Sequence, residues 1–391
     1  MRWFLLGVLL LSLGASGRFL LAMEGRVGVE TTSASKGASP SEEPGTHVPV
    51  AIDDTARTEG QASSTPAVSD TGTTLFATEI TTSTTAPGQS TDVTSTIPPK
   101  PTTTTTTTTV ENSPKGTCTV NQATRVLSGA QSEQYKEMHL EARSIIDSTG
   151  ASWLGVHDYP VRLGGGARGC WFGGNIRGSY PDTDSWDRMH DTAGFSISLP
   201  DFLGVGVRVH NYGDAINITD NAQDFVIRQA HLSYIRDDCI ENDRLHAGIL
   251  EDSLLDGCYT ALSARRHSGD TQSDGRDNVW IVRRSLIRLQ PMPTVYKGEA
   301  PGHGRFFKWD KKGLGPQLAF HDNILRVDQL PTSGDLRVPD GILASCSNNI
   351  IVWLGEGEFP DPLPDCFTVT TDRSVWDNAV AQWKARFGRY D

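Results

Sequence analysis

The sequence predicts an all-β solenoid, a right-handed parallel β-helix, and three observations predict it. A short pattern recurs mid-chain as Gly213-Asp214-Ala215-Ile216, Asp237-Asp238-Cys239-Ile240 and Asp256-Gly257-Cys258-Tyr259, offset by 24 residues (214 to 238) and 19 residues (239 to 258). A second pattern, an apolar pair, two polar residues, a small residue and then an aliphatic, returns four times. Its copies are Val226 to Ala230 with Leu232, Ile249 to Ser253 with Leu255, Ile281 to Ser285 with Ile287, and Ala319 to Asn323 with Leu325. The apolar runs in these repeats are short and end in polar corners, which reads as strands rather than helices. Self-similarity at such a period signals a solenoid. A leucine-rich repeat would need a leucine-and-asparagine consensus, which this chain lacks.

Each element follows in chain order. Residues 1–26 read as a signal peptide: Arg2 gives a positive start, Trp3 to Gly14 an apolar run, and Ala15, Ser16 and Gly17 a small-residue cleavage site. The alternative is an uncleaved anchor over 3–23, which Arg18 in its second half makes costly. Residues 27–115 are rich in Ser, Thr, Pro and Gly and end in Pro101 and an unbroken Thr102 to Thr109. That composition cannot offset chain entropy by burial, so the segment is expected to be disordered. Ser/Thr with Pro in a secreted chain reads as a mucin-like, O-glycosylated stalk; an unglycosylated spacer is the plainer alternative.

Residues 116–391 form the globular part, expected to be one β-helix domain with short flanking helices. Gln131 to Asp147 carries Tyr135, Met138, Ala142, Ile145 and Ile146 at helical spacing, with Leu140 off the stripe. A helix there would cap the open N-terminal strand edge of the solenoid. At the other end, Asp372 is the N-cap of a helix whose apolar face is Val375, Trp376, Ala379, Val380 and Trp383.

The six cysteines form an even set in a secretory chain, which implies disulfides. No C-x-x-C pair exists, so zinc is not expected. Cys239 and Cys258 occupy equivalent places on successive coils, and stacking at about 4.8 Å would bring them within bridging range. Cys346 with Cys366 is the next most natural pair, leaving Cys118 with Cys170. Asn217-Ile218-Thr219 is an N-glycosylation sequon lying within a coil.

Stacking also turns the repeat into a column carrying Asp214, Asp238 and Gly257, with Asp237 and Asp256 in the neighbouring column. Paired carboxylates in a groove can hydrolyse glycosidic bonds, one donating a proton to the leaving oxygen while another activates water. Close like charges raise one pKa, which suits the acid. Two alternatives stand beside this. Asp at solenoid corners can simply accept backbone N–H bonds. Adjacent strand residues also face opposite sides, so Asp237 and Asp238 share a groove only if the chain bends between them.

Asn211-Tyr212-Gly213-Asp214-Ala215-Ile216 followed by Asp237-Asp238-Cys239-Ile240 resembles the polygalacturonase family of glycoside hydrolases (family 28), which has Asn-Thr-Asp and then Asp-Asp-Cys about one coil later on a right-handed β-helix. The resemblance implies Asp237 as general acid, Asp214 and Asp238 positioning the attacking water, and inversion at the anomeric carbon. It also implies a bridge from the Asp-Asp-Cys cysteine to the next coil. More broadly the chain is similar to the pectin-lyase-like superfamily, many of whose members act on acidic polysaccharides. Where the polygalacturonases have Gly-His-Gly, this chain has Tyr259-Thr260-Ala261-Leu262 after Cys258, and the Arg-Ile-Lys clamp has no counterpart beyond Arg283-Arg284 or Arg288.

Other residues complete the expectations. Arg265, Arg266 and His267 form a basic loop after the acidic coils, and in a chain of formal charge −12 it suits an anionic sugar better than nucleic acid. Asp238, Glu241, Asp243, Glu251, Asp252 and Asp256 offer the hard oxygens calcium takes, without any spaced loop motif, so no metal or other cofactor is expected ahead of that possibility. Gly164 to Gly169 reads as a loop rather than a phosphate cradle. Among Trp171, Trp186, Trp280, Trp309 and Trp353, exposed rings would stack on sugars and buried ones would fill the core. The sequence thus predicts a secreted or surface-displayed monomer, free of the membrane after signal cleavage, that binds or cleaves an extracellular, acidic polysaccharide. The enzyme reading is a glycoside hydrolase, with a lyase as runner-up. The other reading is a non-catalytic adhesion or structural module on a glycosylated stalk.

Overall fold

The computed structural model describes residues 118–298 and 300–388, all within one compact unit spanning 100–391. The expected signal peptide and stalk lie outside the described residues. The described chain is a long, all-parallel sheet wound nearly closed round an axis, a parallel β-helix with three faces.

The first face holds Tyr135–Leu140, Val161–Gly165, Ala193–Ser198, Asp214–Ile218, the later halves of His231–Asn242 and Leu254–Ala264, and Phe307–Trp309. The second runs from Leu203–Val205 through Phe225–Arg228, Gly248–Glu251, Val279–Arg283 and Gln317–His321 to Leu343–Ser347. The third runs from Arg208–His210 through the early halves of His231–Asn242 and Leu254–Ala264 to Leu286–Leu289, Ile324–Val327, Asn349–Trp353 and Phe367–Thr370.

The register is the one the repeats predict. Val226, Ile249, Ile281 and Ala319 stack on the second face, and Leu232, Leu255, Ile287 and Leu325 on the third. The corner between these faces explains the pattern's other positions. Gln229, Asp252, Arg284, Asp322 and Asn348 all take left-handed φ of 50° to 57° there, turning the chain by one residue. The small residue that follows points inward and closes a polar ladder. Ala230 N–H donates to Ser253 Oγ (3.2 Å), Ser285 N–H to Asn323 Oδ1 (3.0 Å) and Asn323 N–H to Asn349 Oδ1 (3.1 Å). The remaining interior is apolar and aromatic: Trp171 packs edge-on to Phe195 at 5.2 Å, and Trp280 stacks on Trp309 at 5.6 Å.

Two expectations need correction. Gln131 to Asp147 is not helical; it contains the strands Tyr135–Leu140 and Ile145–Leu154. Arg143 turns left-handed (φ 65°) and Ser144 N–H bonds Glu141 O, so two strands and a corner mimic helical spacing. Leu140, the residue off the helical stripe, is buried at 6% exposure as strand pairing requires. The last helix is as expected. α1 (Trp186–Met189) is a single turn, and α2 (Arg373–Phe387) is capped by Asp372, whose Oδ1 accepts from Ser374 N–H at 2.9 Å. Trp376, Trp383 and Phe387 bury α2 along the third face against Leu254, Leu286 and Val352, and Trp383 Nε1 donates to Asp252 O at 2.6 Å.

The second correction concerns the acidic column. Asp214 and Asp238 are neighbours, because Ile216 pairs with Ile240. The next residue in line is Thr260, not Gly257, and Asp256 stands beside Ser233 on the third face. The cause is a bulge in His231–Asn242, where the register shifts between Ile235 and Asp238. All three expected disulfides form: Cys118–Cys170, Cys239–Cys258 and Cys346–Cys366. Cys239 and Cys258 are nevertheless not register partners. Cys258 pairs with Ile235, and the bridge spans the bulge at a Cα separation of 5.6 Å. Among the described residues, no helix is long and apolar enough to cross a membrane.

Candidate functional site in a cationic cleft

A bulge inserts an unpaired residue and re-aims the side chains beside it. Here it supplies the bend that Asp237 and Asp238 need in order to act together. Arg236 N–H and Asp237 N–H still bond Tyr212 O and Gly213 O of the preceding coil, both at 2.8 Å. Asp237 reaches the floor of a cleft of about 450 Å3. Asp238 lies beneath it, fully buried, where its N–H bonds Asp214 Oδ1 (3.1 Å) and its Oδ2 accepts from Lys308 Nζ at 2.5 Å.

The walls are of two kinds. Trp186, from α1, stacks face to face on His190 at 4.2 Å and meets the edge of Tyr296 at 4.7 Å. Arg265, Lys297, Arg305 and Lys311 also line the cleft, together with Lys308 and Asp237. Among the described residues no carboxylate pairs with the first four, so the cleft carries an excess of positive charge.

The acid groups below are held away from their ordinary state. Burial pushes the Asp237 carboxyl up to about 7; Lys308 and His190 oppose the rise and Asp238 adds to it. The Trp186 indole N–H also opposes it, without a fully formed hydrogen bond. Asp214 lies well above the carboxylate range because it is buried and faces Glu241, Asp237 and Asp238. Glu241 is pushed up to about 8 by burial and by Asp243. Burial works against the Lys308 ammonium, but Asp238 and Asp237 outweigh it and hold the group protonated.

One oxygen each from Asp214, Asp238 and Glu241 lies within 4.8 Å of the others, a donor set of the kind calcium takes. Lys308 already supplies a cation to this set through Asp238. The other oxygens expected for calcium are dispersed. Glu251 binds Arg283 and Arg284, Asp252 binds Arg284, and Asp256 binds Arg288. The sequon Asn217 is 9% exposed and its amide donates to Glu241, so it faces this cluster rather than solvent.

The structure therefore brings Asp237, Asp238 and Asp214 together and separates the basic loop. Arg265 lines the cleft. Arg266 instead pairs with Asp310 (3.4 Å), and His267 pairs with Asp243 (3.2 Å). Of the five tryptophans, Trp171, Trp280, Trp309 and Trp353 are buried in the core, Trp309 also bordering the cleft, while the partly exposed Trp186 lines it. Lys297, Arg305, Lys308 and Lys311 were not among the expected residues. Lys308 had a readable signal, a lone cation between aromatics in Phe307-Lys308-Trp309, which a period-two strand turns outward beside Ser263. The other three sit on loops whose approach to Asp237 depends on tertiary folding.

No family model matches the chain, and no significant match was found among curated proteins or solved structures.

Proposed function

We propose that the cleft binds an acidic polysaccharide outside the cell and hydrolyses it, with Asp237 as general acid. The observation that carries this reading is a carboxyl titrating at about 7 on the floor of a cleft whose other charges are cationic. A protonated Asp237 would donate to the glycosidic oxygen as the bond to the anomeric carbon breaks. Water, positioned by Asp214 and Asp238, would add to that carbon and lose its proton to the Asp238 carboxylate, which pairs with Lys308. Arg265, Lys297, Arg305 and Lys311 suit the uronate or sulfate groups of the chain, and the half-exposed Trp186 ring suits a sugar face. This is the chemistry that the likeness to polygalacturonases implies. The three disulfides fit an oxidising, extracytoplasmic compartment.

A non-catalytic binding module is the second reading. It is favoured by the exposure of Asp214 (2%) and Asp238 (0%), which leaves little room for water beneath Asp237. Lyase chemistry is the least supported, because it needs a neutral base and Lys308 is held charged.

The deciding experiment incubates the protein and its Asp237→Asn variant with polygalacturonate, alginate and sulfated glycans. Reducing ends and the ultraviolet absorbance of unsaturated products are both followed. Hydrolysis predicts new reducing ends that fall by roughly a hundredfold or more in the variant. It also predicts a rate that declines as pH rises above about 7 and Asp237 loses its proton. Binding retained by both proteins without turnover would establish the module instead, and an absorbance gain would establish a lyase.

A further inference from the structure

Immediately before Asp237 the chain buries an arginine that forms no direct ion pair with a carboxylate among the described residues, although the charges of Asp182 and Asp184 favour it from further off. Arg236 is 0% exposed. Its Nη1 donates to Pro181 O (2.8 Å), and its Nη2 donates to Asp184 O (2.6 Å), to Asp182 O at the longer 3.5 Å and to Thr294 Oγ1 (2.9 Å). Thr294 Oγ1 in turn donates to Asp184 O at 2.7 Å. Burying a guanidinium against neutral acceptors is costly unless geometry satisfies its donors, so the arrangement calls for a reason.

The acceptors belong to the two loops that wall the cleft. Pro181 to Asp184 lead directly into Ser185, the N-cap of α1, and so set where Trp186 stands. Thr294 lies in a loop pinched at its base by the antiparallel bridge of Met292 with Gly302, and that loop carries Tyr296 and Lys297. The two walls touch where Trp186 meets Tyr296. The carbonyls of Pro181, Asp182 and Asp184 let the guanidinium fix the main chain of the first loop, while it holds the second through the Thr294 hydroxyl.

We infer that Arg236 is a positioning residue, a brace that joins both walls of the cleft to the strand bearing Asp237 and sets the spacing between the Trp186 ring and the acid. Only the expected effect on ligand affinity rests on the function proposed above. A lysine keeps the charge but cannot reach the carbonyls of one loop and the Thr294 hydroxyl of the other at once, because it lacks the planar fork.

The test compares Arg236→Lys and Thr294→Val with the unmodified protein. Thr294→Val removes one strut at nearly constant volume. Acrylamide quenching of Trp186, taken as the difference between each protein and its Trp186→Phe counterpart, reads the brace without any ligand. The expected result is greater quenching of Trp186 in both variants, at a melting temperature and circular dichroism that show the coils intact. Affinity for oligogalacturonate should be roughly tenfold weaker. Unchanged quenching in both variants would overturn the inference. If Arg236→Lys does not fold, Thr294→Val decides alone. If the unmodified protein binds no acidic glycan, the proposed function fails while the quenching result still judges the brace.

Discussion

Burial makes ionised Asp237 and Glu241 costly, and the chain holds their protons to pH values where an exposed carboxyl would have lost them long before. A carboxyl whose folded pKa lies above its unfolded value contributes stability that is complete below the unfolded value and is lost as pH rises through the folded one. For Asp237 at about 7 and Glu241 at about 8, that loss begins near pH 4, where the unfolded carboxyls ionise, and is largely complete by about pH 8. His210, His246 and His303, whose values burial lowers, oppose it only below about pH 6.5, so the decline stands alone between about pH 6.5 and about pH 8. The melting temperature should therefore drop across this window, by on the order of 5 °C. Glu241→Gln should flatten the slope, as calorimetry at several pH values would show. A slope unchanged in that variant would mean that Glu241 ionises freely in the folded state.

A strand in this molecule is specified less by its own propensity than by what lies one coil above and below. The second repeat made that visible in advance, since its apolar pair, corner and small residue each became a column. The Ser/Asn ladder shows the same logic in hydrogen bonds. Asn323 accepts from Ser285 N–H and donates to Val282 O and Asn349 Oδ1, all within the core. Asn323→Ala leaves those groups unpaired and should cost about 2 kcal/mol in urea unfolding, well above an exposed Asn on the same face. The acidic motif was legible for the same reason: Asp214 and Asp238 are one coil apart. What the sequence hid was irregular. The bulge before Asp238 shifted the column from Gly257 to Thr260, and it let Cys239 meet Cys258 out of register. The strands at 135–140 and 145–154 imitated a helix because a left-handed corner at Arg143 breaks their alternation. Lys297, Arg305 and Lys311 escaped because loops of unequal length carry them, and no period governs loops.

In a solenoid each coil touches only its neighbours, so stability is distributed along the axis and the ends are the weakest places. The first described strand, Arg125–Gln131, is mostly exposed, whereas Phe225–Arg228 is buried throughout. Hydrogen exchange should accordingly run fastest in the first coil and slowest around the coils bearing Asp214 and Asp238. Uniform protection along the axis would instead show that the domain opens as one unit. The cleft sits on the well-protected middle, which suits a site whose acid must be held in a fixed setting. Drawn out by its ends, such a domain would unreel: α2 would strip from the third face first, and turns would then leave the stack singly. The Cys239–Cys258 bridge would act as a knot in that thread, keeping the 19-residue span it closes from lengthening and leaving the bend that presents Asp237 among the last parts to give way.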